Sequence, residues 1–252
     1  MTCVLVEKLD LPQRCLLGST IFKKQFLNAG DLSYADKKLI SKHIDKVIWQ
    51  ACLKPDTINI RPYKDEIREY REVEIIEVRL NEISRFQRVA EIIMRTIPYP
   101  ILLQLTYQDH IMLVVGHSRT SLSDSSRNTI EEFLFTEWMN LNEMTELQAQ
   151  FFKNIHSSKL SFSNFYRFYD DFTDQVILLN ASKWTDCYFE VKDAKEVKQV
   201  SDSIASLEQK IEELRAMLRK ETQFNRRVEL NVEISQAKHQ KDNLIEKGKQ
   251  EM

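Results

Sequence analysis

The sequence has few of the residues that build flexible loops or phosphate-binding turns. Only 4 glycines and 5 prolines occur among 252 residues, which excludes a glycine-rich nucleotide cradle and favours a helix-rich chain. No stretch approaches the ~18 uninterrupted apolar residues of a membrane-spanning helix. The opening segment MTCVLVEKLDLPQ has no basic region ahead of an apolar core, so it does not resemble a signal peptide. A net charge of −2 excludes the strong basic field of a dedicated nucleic-acid binder.

The reactive side chains form no recognisable catalytic or metal-binding motif. None of the four cysteines forms a C-x-x-C pair, and no two histidines have H-x-x-x-H spacing. Neither a G-x-x-x-x-G-K-[ST] phosphate loop nor a G-x-S-x-G elbow occurs. The sequence therefore predicts reduced thiols in a cytoplasmic protein, with no catalytic residue, metal ion or cofactor. The cysteines are Cys3, Cys15, Cys52 and Cys187.

Residues 33–180 alternate between helical and strand-like patterns. Ser33 is placed to cap a helix, and Gln108-Asp109 fits a two-residue hairpin turn. The predicted elements are helices 33–49, 84–97, 144–156 and 162–180 and strands 56–63, 71–80, 100–107 and 110–119, with competing helix and strand signals in 129–141. We predict an α+β fold, with a mostly antiparallel sheet and packed helices in residues 1–192. A C-terminal antiparallel helical hairpin is predicted in residues 193–252.

The helix predicted at 162–180 carries an aromatic stripe. Its members are Phe162, Phe165, Tyr166, Tyr169 and Phe172. Such a stripe can stack on nucleic-acid bases. At this spacing it more often packs in a core, because each ring buries a large apolar area. We therefore predict that these rings belong to the core.

The clearest pattern lies between Ala194 and Lys247, a segment without glycine or proline. Apolar residues recur there at alternating steps of three and four, which is typical of a coiled-coil seam. The first run is Val197, Val200, Ile204, Leu207, Ile211, Leu214 and Leu218, and the second is Leu230, Ile234, Ala237, Lys241 and Leu244. Between them the spacing fails. An antiparallel hairpin with its turn near Thr222–Asn225 would bury the seam within the chain. The alternative is a single kinked helix that exposes the seam to a partner.

The stretch ETQFNRRVELN, residues 221–231, is both the predicted turn and a candidate binding surface. Phe224 is predicted to pack back against Leu218 or Val228. A basic group lies around the proposed tip and is partly neutralised by neighbouring glutamates, as on an ordinary solvated helix. The candidate interaction residues are Lys23, Lys24, Ile204, Leu207, Ile211, Leu214, Arg215, Leu218, Arg219, Phe224, Asn225, Arg226, Arg227 and Asn231.

The strand REVEIIEVRL offers a competing nuclease interpretation. Restriction-type nucleases place an acidic residue ahead of a strand that carries E-x-K, so that two carboxylates hold Mg²⁺. Here Glu74 and Glu77 lie on the strand, with Asp56 or Asp65 ahead of them. The lysine position is occupied by Arg79, which cannot deprotonate. Alternating acidic residues on a strand are more typical of a solvated face, so this interpretation ranks last.

Five stretches carry a family resemblance. They are IFKKQF, DKKLISKHIDKVIWQACLKPDTINI, EVEIIEVRL, TIPYPILLQL and RKETQFNRRVELN, and they span nearly the whole chain. In this order they resemble a bacterial family known only as a domain of unknown function, number 4391. The resemblance implies genes that lie beside helicases and DNA methyltransferases in restriction or anti-phage defence islands. It brings no established catalytic residues.

These observations favour a non-catalytic accessory subunit of a multiprotein defence complex. Its C-terminal helices are expected to dock on a helicase or related ATPase by packing along the apolar seam, and the coiled coil could also form an oligomer. The second hypothesis is a DNA-contacting module that uses Lys23, Lys24 and the tip arginines. The third is the divergent nuclease that uses Glu74 and Glu77.

Overall fold

The computed structural model of the protein describes residues 3–28, 32–120, 128–185 and 194–250. The chain divides into two compact units, Met1–Val176 and Ile177–Met252. The division falls inside a long helix, and each unit contains its own apolar cluster. The boundary predicted at residues 192–193 falls on 186–193, which lie outside the described residues. No helix within the described ranges is long and apolar enough to cross a membrane.

Helices and strands alternate through the first unit, and helices form the second. The helices are α1 (Val4–Leu9), α2 (Lys23–Leu27), α3 (Tyr34–His43), α4 (Pro55–Ile58), α5 (Phe86–Thr96), α6 (Glu146–Asn154), α7 (Phe165–Thr185), α8 (Ala194–Lys220) and α9 (Phe224–Gln250). The strands are β1 (Leu16–Ile21), β2 (Ile44–Leu53), β3 (Tyr63–Lys64), β4 (Glu69–Tyr70), β5 (Val73–Leu80), β6 (Ile101–Tyr107), β7 (His110–Val115), β8 (Ser118–Thr120), β9 (Asn128–Ile130), β10 (Leu134–Phe135) and β11 (Met139–Asn140).

The main sheet has the strand order β1-β2-β5-β6-β7-β10, and β11 also pairs with β7. Strands β5 and β6 run parallel, and α5 makes the crossover that a parallel pair requires. The other pairs in this sheet are antiparallel. The predicted hairpin between β6 and β7 is confirmed, with Gln108 at a φ of 52°. The predicted α+β class is confirmed as well.

One face of the sheet packs against α3 and α5 in an apolar cluster. Ile40 of α3 and Ile93 of α5 are fully buried there with Val47, Val78 and Leu103 from three neighbouring strands. Burying an aliphatic side chain of this size contributes about 1.5–3 kcal/mol. These contacts fix the central strands, whose polar side chains are considered below.

The helix predicted at 33–49 is correct only in its first half. Ser33 caps α3 as predicted, because its Oγ accepts a hydrogen bond from the Asp36 backbone N at 3.1 Å. From Ile44 onward the chain is extended and pairs with both β1 and β5. The pairing with β5 shifts register between Ile44 and Lys46 and again between Trp49 and Ala51. These irregularities break the two-residue alternation of a strand, so the buried residues acquire a helix-like spacing.

The strand predicted at 56–63 is wrong. Pro55 begins the short helix α4, and the backbone N of Lys54 donates to the Thr57 hydroxyl at 2.8 Å. Asn59 ends the helix in the left-handed conformation, with a φ of 58°. Residues 129–141 form three short strands, β9 to β11, rather than one continuous strand.

The aromatic stripe lies mostly in the core, as predicted. Phe165, Tyr169 and Phe172 are fully buried. The Tyr169 hydroxyl donates to the carbonyl of Ile101 at 2.9 Å and accepts from the backbone N of Gly116 at 2.9 Å. It therefore joins the start of β6 to the end of β7. Tyr166 is only partly buried, and Phe162, which precedes α7, remains 42% exposed.

The predicted antiparallel hairpin is confirmed in the second unit. Helices α8 and α9 bury Ile211 and Leu214 against Leu230, Ile234 and Ala237. An ion pair of 3.2 Å between Lys241 Nζ and Glu208 Oε1 continues this antiparallel register. Further along the unit, Val197 packs on Leu178 and Ala181 at the end of α7. The single exposed helix is therefore excluded.

Candidate functional site

The hairpin turn spans residues 221–223, between the end of α8 at Lys220 and the start of α9 at Phe224. Glu221 closes it, because one carboxylate oxygen accepts hydrogen bonds from the backbone N atoms of Thr222 and Gln223, both at 2.8 Å. These bonds lower the pKa of Glu221. The turn is thus near its predicted position, although Asn225 belongs to α9 rather than to the turn.

The predicted seam residues of α8 face into the chain. Ile204, Ile211 and Leu214 are buried, whereas Leu207 and Leu218 are partly buried against the same cluster. A seam covered by α9 is not available for packing against another helix. Any docking through the hairpin must therefore use its outer surfaces.

An exposed apolar stripe lies on the outer face of α9. Phe224 is 76% exposed, Val228 is 46% exposed and Val232 is 51% exposed. Their spacing of four residues places them on one side of the helix. Val228 and Val232 each lie two positions from the buried Leu230, which in a helix places them on the opposite side from the seam. We call Phe224, Val228 and Val232 the tip stripe.

The prediction that Phe224 packs back against Leu218 or Val228 is wrong. Phe224 is the first residue of α9, so no earlier turn of that helix lies beside its ring. The Glu221 side chain closes the turn instead, by hydrogen bonds to the backbone. The ring is left on the surface.

Basic residues are concentrated in sequence around the hairpin turn and the start of the tip stripe. Residues 215–227 contain five cations and one acid, Glu221. Arg215 pairs with Glu212 at 2.5 Å, and Arg226 pairs with Glu229 at 2.7 Å. Of the five cations in residues 215–227, three have no ion pair among the described residues: Arg219, Lys220 and Arg227. Three unpaired charges beside exposed apolar residues suit an acidic partner surface better than a neutral one.

The side chains of Asn231 and Lys23 each make a hydrogen bond within the protein, whereas that of Lys24 makes none among the described residues. The Asn231 side-chain amide donates to the Arg227 carbonyl at 2.9 Å, within α9 itself. Lys23 Nζ donates to the carbonyl of Ile44 at 2.8 Å, just beyond the end of α3. Lys24 is exposed. The two lysines belong to the first unit and the tip cations to the second.

Glu74 and Glu77, the pair behind the nuclease interpretation, point to opposite faces of the sheet. Strand β5 keeps a regular parallel register with β6 from Glu74 to Arg79. Residues three apart on a regular strand project to opposite sides. The two carboxylates therefore do not share one metal ion. Asp65 is also engaged elsewhere, because its carboxylate accepts from the backbone N atoms of Ile67 and Arg68.

Glu77 lies at the centre of a buried polar network instead. It is 3% exposed and accepts hydrogen bonds from Gln50 Nε2 at 2.6 Å, Arg79 Nε at 3.0 Å and Thr106 Oγ1 at 3.2 Å. Neighbouring Gln104 accepts from the backbone N of Leu5 at 2.9 Å. A cavity of about 460 Å³ opens over these groups. Three donors stabilise the Glu77 carboxylate, so its polar capacity is largely used within the protein.

Sequence reasoning missed the contribution of Val228 and Val232 to the surface and the polar network around Glu77. The four-residue spacing from Phe224 to Val232 was visible, but the sequence left open whether α9 folds back on α8. It therefore did not show which apolar residues of α9 another helix covers. The network could not be read from sequence, since Gln50, Glu77 and Gln104 come together only through the strand order.

A family model described as Domain of unknown function (DUF4391) matches residues 9–240 of the chain. No curated protein matches the chain, and no solved structure does. The match covers both the sheet and the hairpin, so the two units occur together in this family.

Proposed function

The chain belongs to the DUF4391 family, and on that premise we propose that it is a non-catalytic accessory subunit of a multiprotein anti-phage, restriction-like defence complex. It docks on a helicase or related ATPase subunit through the C-terminal hairpin. The observation that carries this proposal is the tip stripe, three large apolar side chains exposed on one face of α9. The defence context rests on the sequence resemblance described above.

The geometry of the stripe supports a protein partner. Phe224 and Val232 are eight residues apart, about 12 Å along a helix. An aromatic ring followed by aliphatic side chains on the same side of a helix forms an apolar face of the kind that enters an apolar groove. The three residues lie in the first part of α9, next to the hairpin turn, and the rest of this helix is long and rich in charged residues.

The unpaired cations favour an acidic partner surface. Arg219, Lys220 and Arg227 are close in sequence to the tip stripe, so the proposed matching surface has an apolar groove with an acidic rim. Rim charges chiefly affect the association rate and its salt dependence, whereas the aromatic anchor affects the dissociation rate. The seam itself takes no part, because α9 already covers it.

We expect a helicase or related ATPase to be encoded beside the gene, and co-purification with that ATPase tests the proposal. The full-length chain is expected to retain the ATPase, and a variant with Phe224, Val228 and Val232 replaced by serine is expected to lose it. A Tyr34→Ser variant is the matched control, because Tyr34 is 84% exposed but lies in the other unit. Equal retention by the serine variant and the wild type would show that the stripe is not the docking surface.

The unpaired tip cations also favour a second candidate, a module that contacts the DNA backbone. Its signature is binding that weakens with salt, with the logarithmic salt slope falling by about one for each phosphate-contacting cation removed. Arg219→Ala and Arg227→Ala are the informative variants, and Lys23→Ala and Lys24→Ala test the other basic group. Absence of DNA binding at low salt eliminates this candidate. The nuclease interpretation ranks third, and a Glu77→Ala variant with full biological activity eliminates it.

A further inference from the structure

A cysteine and two glutamates converge where β2 ends and β5 begins. Cys52 and Glu74 are directly paired across the two strands, and Glu72 lies two positions earlier on the same side as Glu74. The Cys52 Sγ lies 3.2 Å from Glu74 Oε1 and 3.9 Å from Glu72 Oε2. All three ligand atoms lie within 4.8 Å of one another. This group is separate from the Glu77 network, which faces the other side of the sheet.

We propose that Cys52, Glu72 and Glu74 form a binding site for a thiophilic divalent cation of the Zn²⁺ type. In a tetrahedral site with Zn–S of about 2.3 Å and Zn–O of about 2.1 Å, a sulfur and an oxygen ligand lie about 3.6 Å apart. The two observed sulfur–oxygen distances, 3.2 and 3.9 Å, bracket that value. Each sulfur–oxygen distance therefore differs from the tetrahedral value by only a few tenths of an ångström, and the two carboxylate oxygens lie within 4.8 Å of each other.

Glu74 is a buried carboxyl group that a bound cation would stabilise in its ionised form. Its side chain is 2% exposed, yet no described cation lies within ion-pair distance of it. The nearby Lys54 pairs with Glu72 instead, at 3.7 Å. Buried carboxylates in proteins are ion-paired, protonated or bound to a metal ion. A divalent cation would neutralise both glutamates at once.

A supporting contact already orients Glu74. Trp49 Nε1 donates to Glu74 Oε2 at 2.5 Å, while Oε1 accepts a hydrogen bond from the Cys52 thiol at 3.2 Å. Loss of the thiol proton on metal binding would release Oε1 to bind the ion. Ligating carboxylates typically have such a hydrogen bond to their second oxygen. On the outer side, the Glu72 side chain is 17% exposed and the Lys54 side chain is 44% exposed. A cation and a fourth ligand from water can enter on this side.

Binding releases the Cys52 thiol proton and, below about pH 7, also the proton that buried Glu74 holds. The Cys52 thiol releases its proton to water, and the thiolate sulfur bonds to the metal. Without the metal, burial and the two flanking carboxylates raise the pKa of the Cys52 thiol. Little of the nucleophilic thiolate is then present, so Cys52 reacts slowly. A bound cation reverses the electrostatic sign of the site and stabilises the thiolate.

Cobalt titration of the full-length chain tests the proposal, because a cobalt–thiolate bond produces a near-ultraviolet charge-transfer band. The titration is made in a Cys187→Ser background, since Cys187 lies outside the described residues. The expected band appears on adding Co²⁺ and disappears when Zn²⁺ displaces it. Cys52→Ser abolishes the band. Cys15→Ser, which removes another buried thiol, is the matched control and retains it.

Two milder variants keep the test decisive if Cys52→Ser fails to fold. Glu72→Gln changes a partly exposed side chain and is expected to weaken Zn²⁺ binding and to reduce the Zn²⁺-induced rise in Tm. Trp49→Phe removes only the supporting hydrogen bond and is expected to weaken Zn²⁺ binding by about 10–100-fold. A wild-type chain that gives no cobalt band, or a band unchanged in both Cys52→Ser and Glu72→Gln, overturns the proposal.

Discussion

The sheet unit and the hairpin unit are stabilised in different ways. Eight of the nine buried polar or charged residues found among the described residues lie in Met1–Val176, and Ser182 is the ninth. The interface between α8 and α9 consists of aliphatic side chains instead. A buried polar network requires a partner for each donor and acceptor, so particular side chains are needed at particular positions of the sheet. The aliphatic seam requires only apolar side chains of suitable volume at the right spacing, so the residues on the outer surface of the hairpin are not needed for its packing.

The same truncation in each core gives the largest expected effect. Leu103→Ala in β6 and Leu230→Ala in α9 each remove a buried side chain and should each cost about 2–5 kcal/mol of unfolding free energy. Hydrogen exchange followed by peptide is expected to show that Leu230→Ala loosens the hairpin while the sheet stays protected. Equal loss of protection in β5 and β6 would mean that the two units unfold together.

Removing Arg88 tests the ion pair that joins α3 to α5. Arg88 contacts Asp36 through two bonds of 2.9 and 2.8 Å, and the Asp36 side chain is 7% exposed. Arg88→Ala should cost about 2 kcal/mol at neutral pH, less than a fully buried pair because the arginine is partly exposed. Urea unfolding measures this loss. Arg95→Ala, on the exposed side of the same helix, should cost less than about 0.5 kcal/mol.

The effect of Arg88→Ala should depend on pH in a defined direction. Hydrogen bonds from Arg88 hold the pKa of Asp36 well below its ordinary value of 3.8. The pair therefore contributes fully above that value, and its contribution is lost as the pH falls below it. The wild type and the Arg88→Ala variant should converge in stability in strong acid. A difference that stays constant down to about pH 2 would contradict this account.

Glu74 should give the opposite pH dependence. Burial raises its pKa from 4.5 to about 7, so the folded chain holds a proton that the unfolded chain releases between these values. Stability should fall as the pH rises across that window, by on the order of 2 kcal/mol, and should level off above it. Urea unfolding in the presence of a chelator measures the slope. Glu74→Gln should abolish it and the exposed Glu66→Gln should retain it. An unchanged slope in Glu74→Gln would assign the dependence to another group.

Changes to the tip stripe should have the smallest effect on stability. Replacing Phe224, Val228 and Val232 by serine should alter the unfolding free energy by roughly 0.5 kcal/mol or less per site, because these side chains are already exposed. Thermal unfolding checks this. A loss comparable to that of Leu230→Ala would show that the stripe is packed rather than free.

The hairpin could be predicted from sequence because its spacing persists for several turns without glycine or proline. Periodic residues such as Ile211 and Leu214 need only a helix and a neighbour to become buried. The strand β2 could not be predicted, because its two register irregularities interrupt the two-residue alternation of a regular strand. Its buried residues Val47, Ile48 and Ala51 therefore have a helix-like spacing. A long, regular helix can be predicted from its own residues, whereas the conformation of an irregular central strand depends on the strands that pair with it.

The candidate sites follow the same division. The basic tip was visible because its residues are close in sequence. The group of Cys52, Glu72 and Glu74 was not, because about twenty residues separate its two halves and only the pairing of β2 with β5 brings them together. For the same reason the sequence could not show that Glu74 and Glu77 do not share one metal ion, since the side of the sheet that each glutamate faces depends on register.

The three-residue turn at 221–223 also limits how the hairpin can change in length. Each residue added to a helix rotates everything beyond it by about 100°. One extra residue between Phe224 and Leu230 would turn polar residues of α9 toward α8 and would expose seam residues such as Leu230 and Ile234 to solvent. An insertion of about seven residues nearly restores the orientation. Point substitutions can therefore alter the outer face freely, but lengthening or shortening of this arm is tolerated only in steps of about two helical turns.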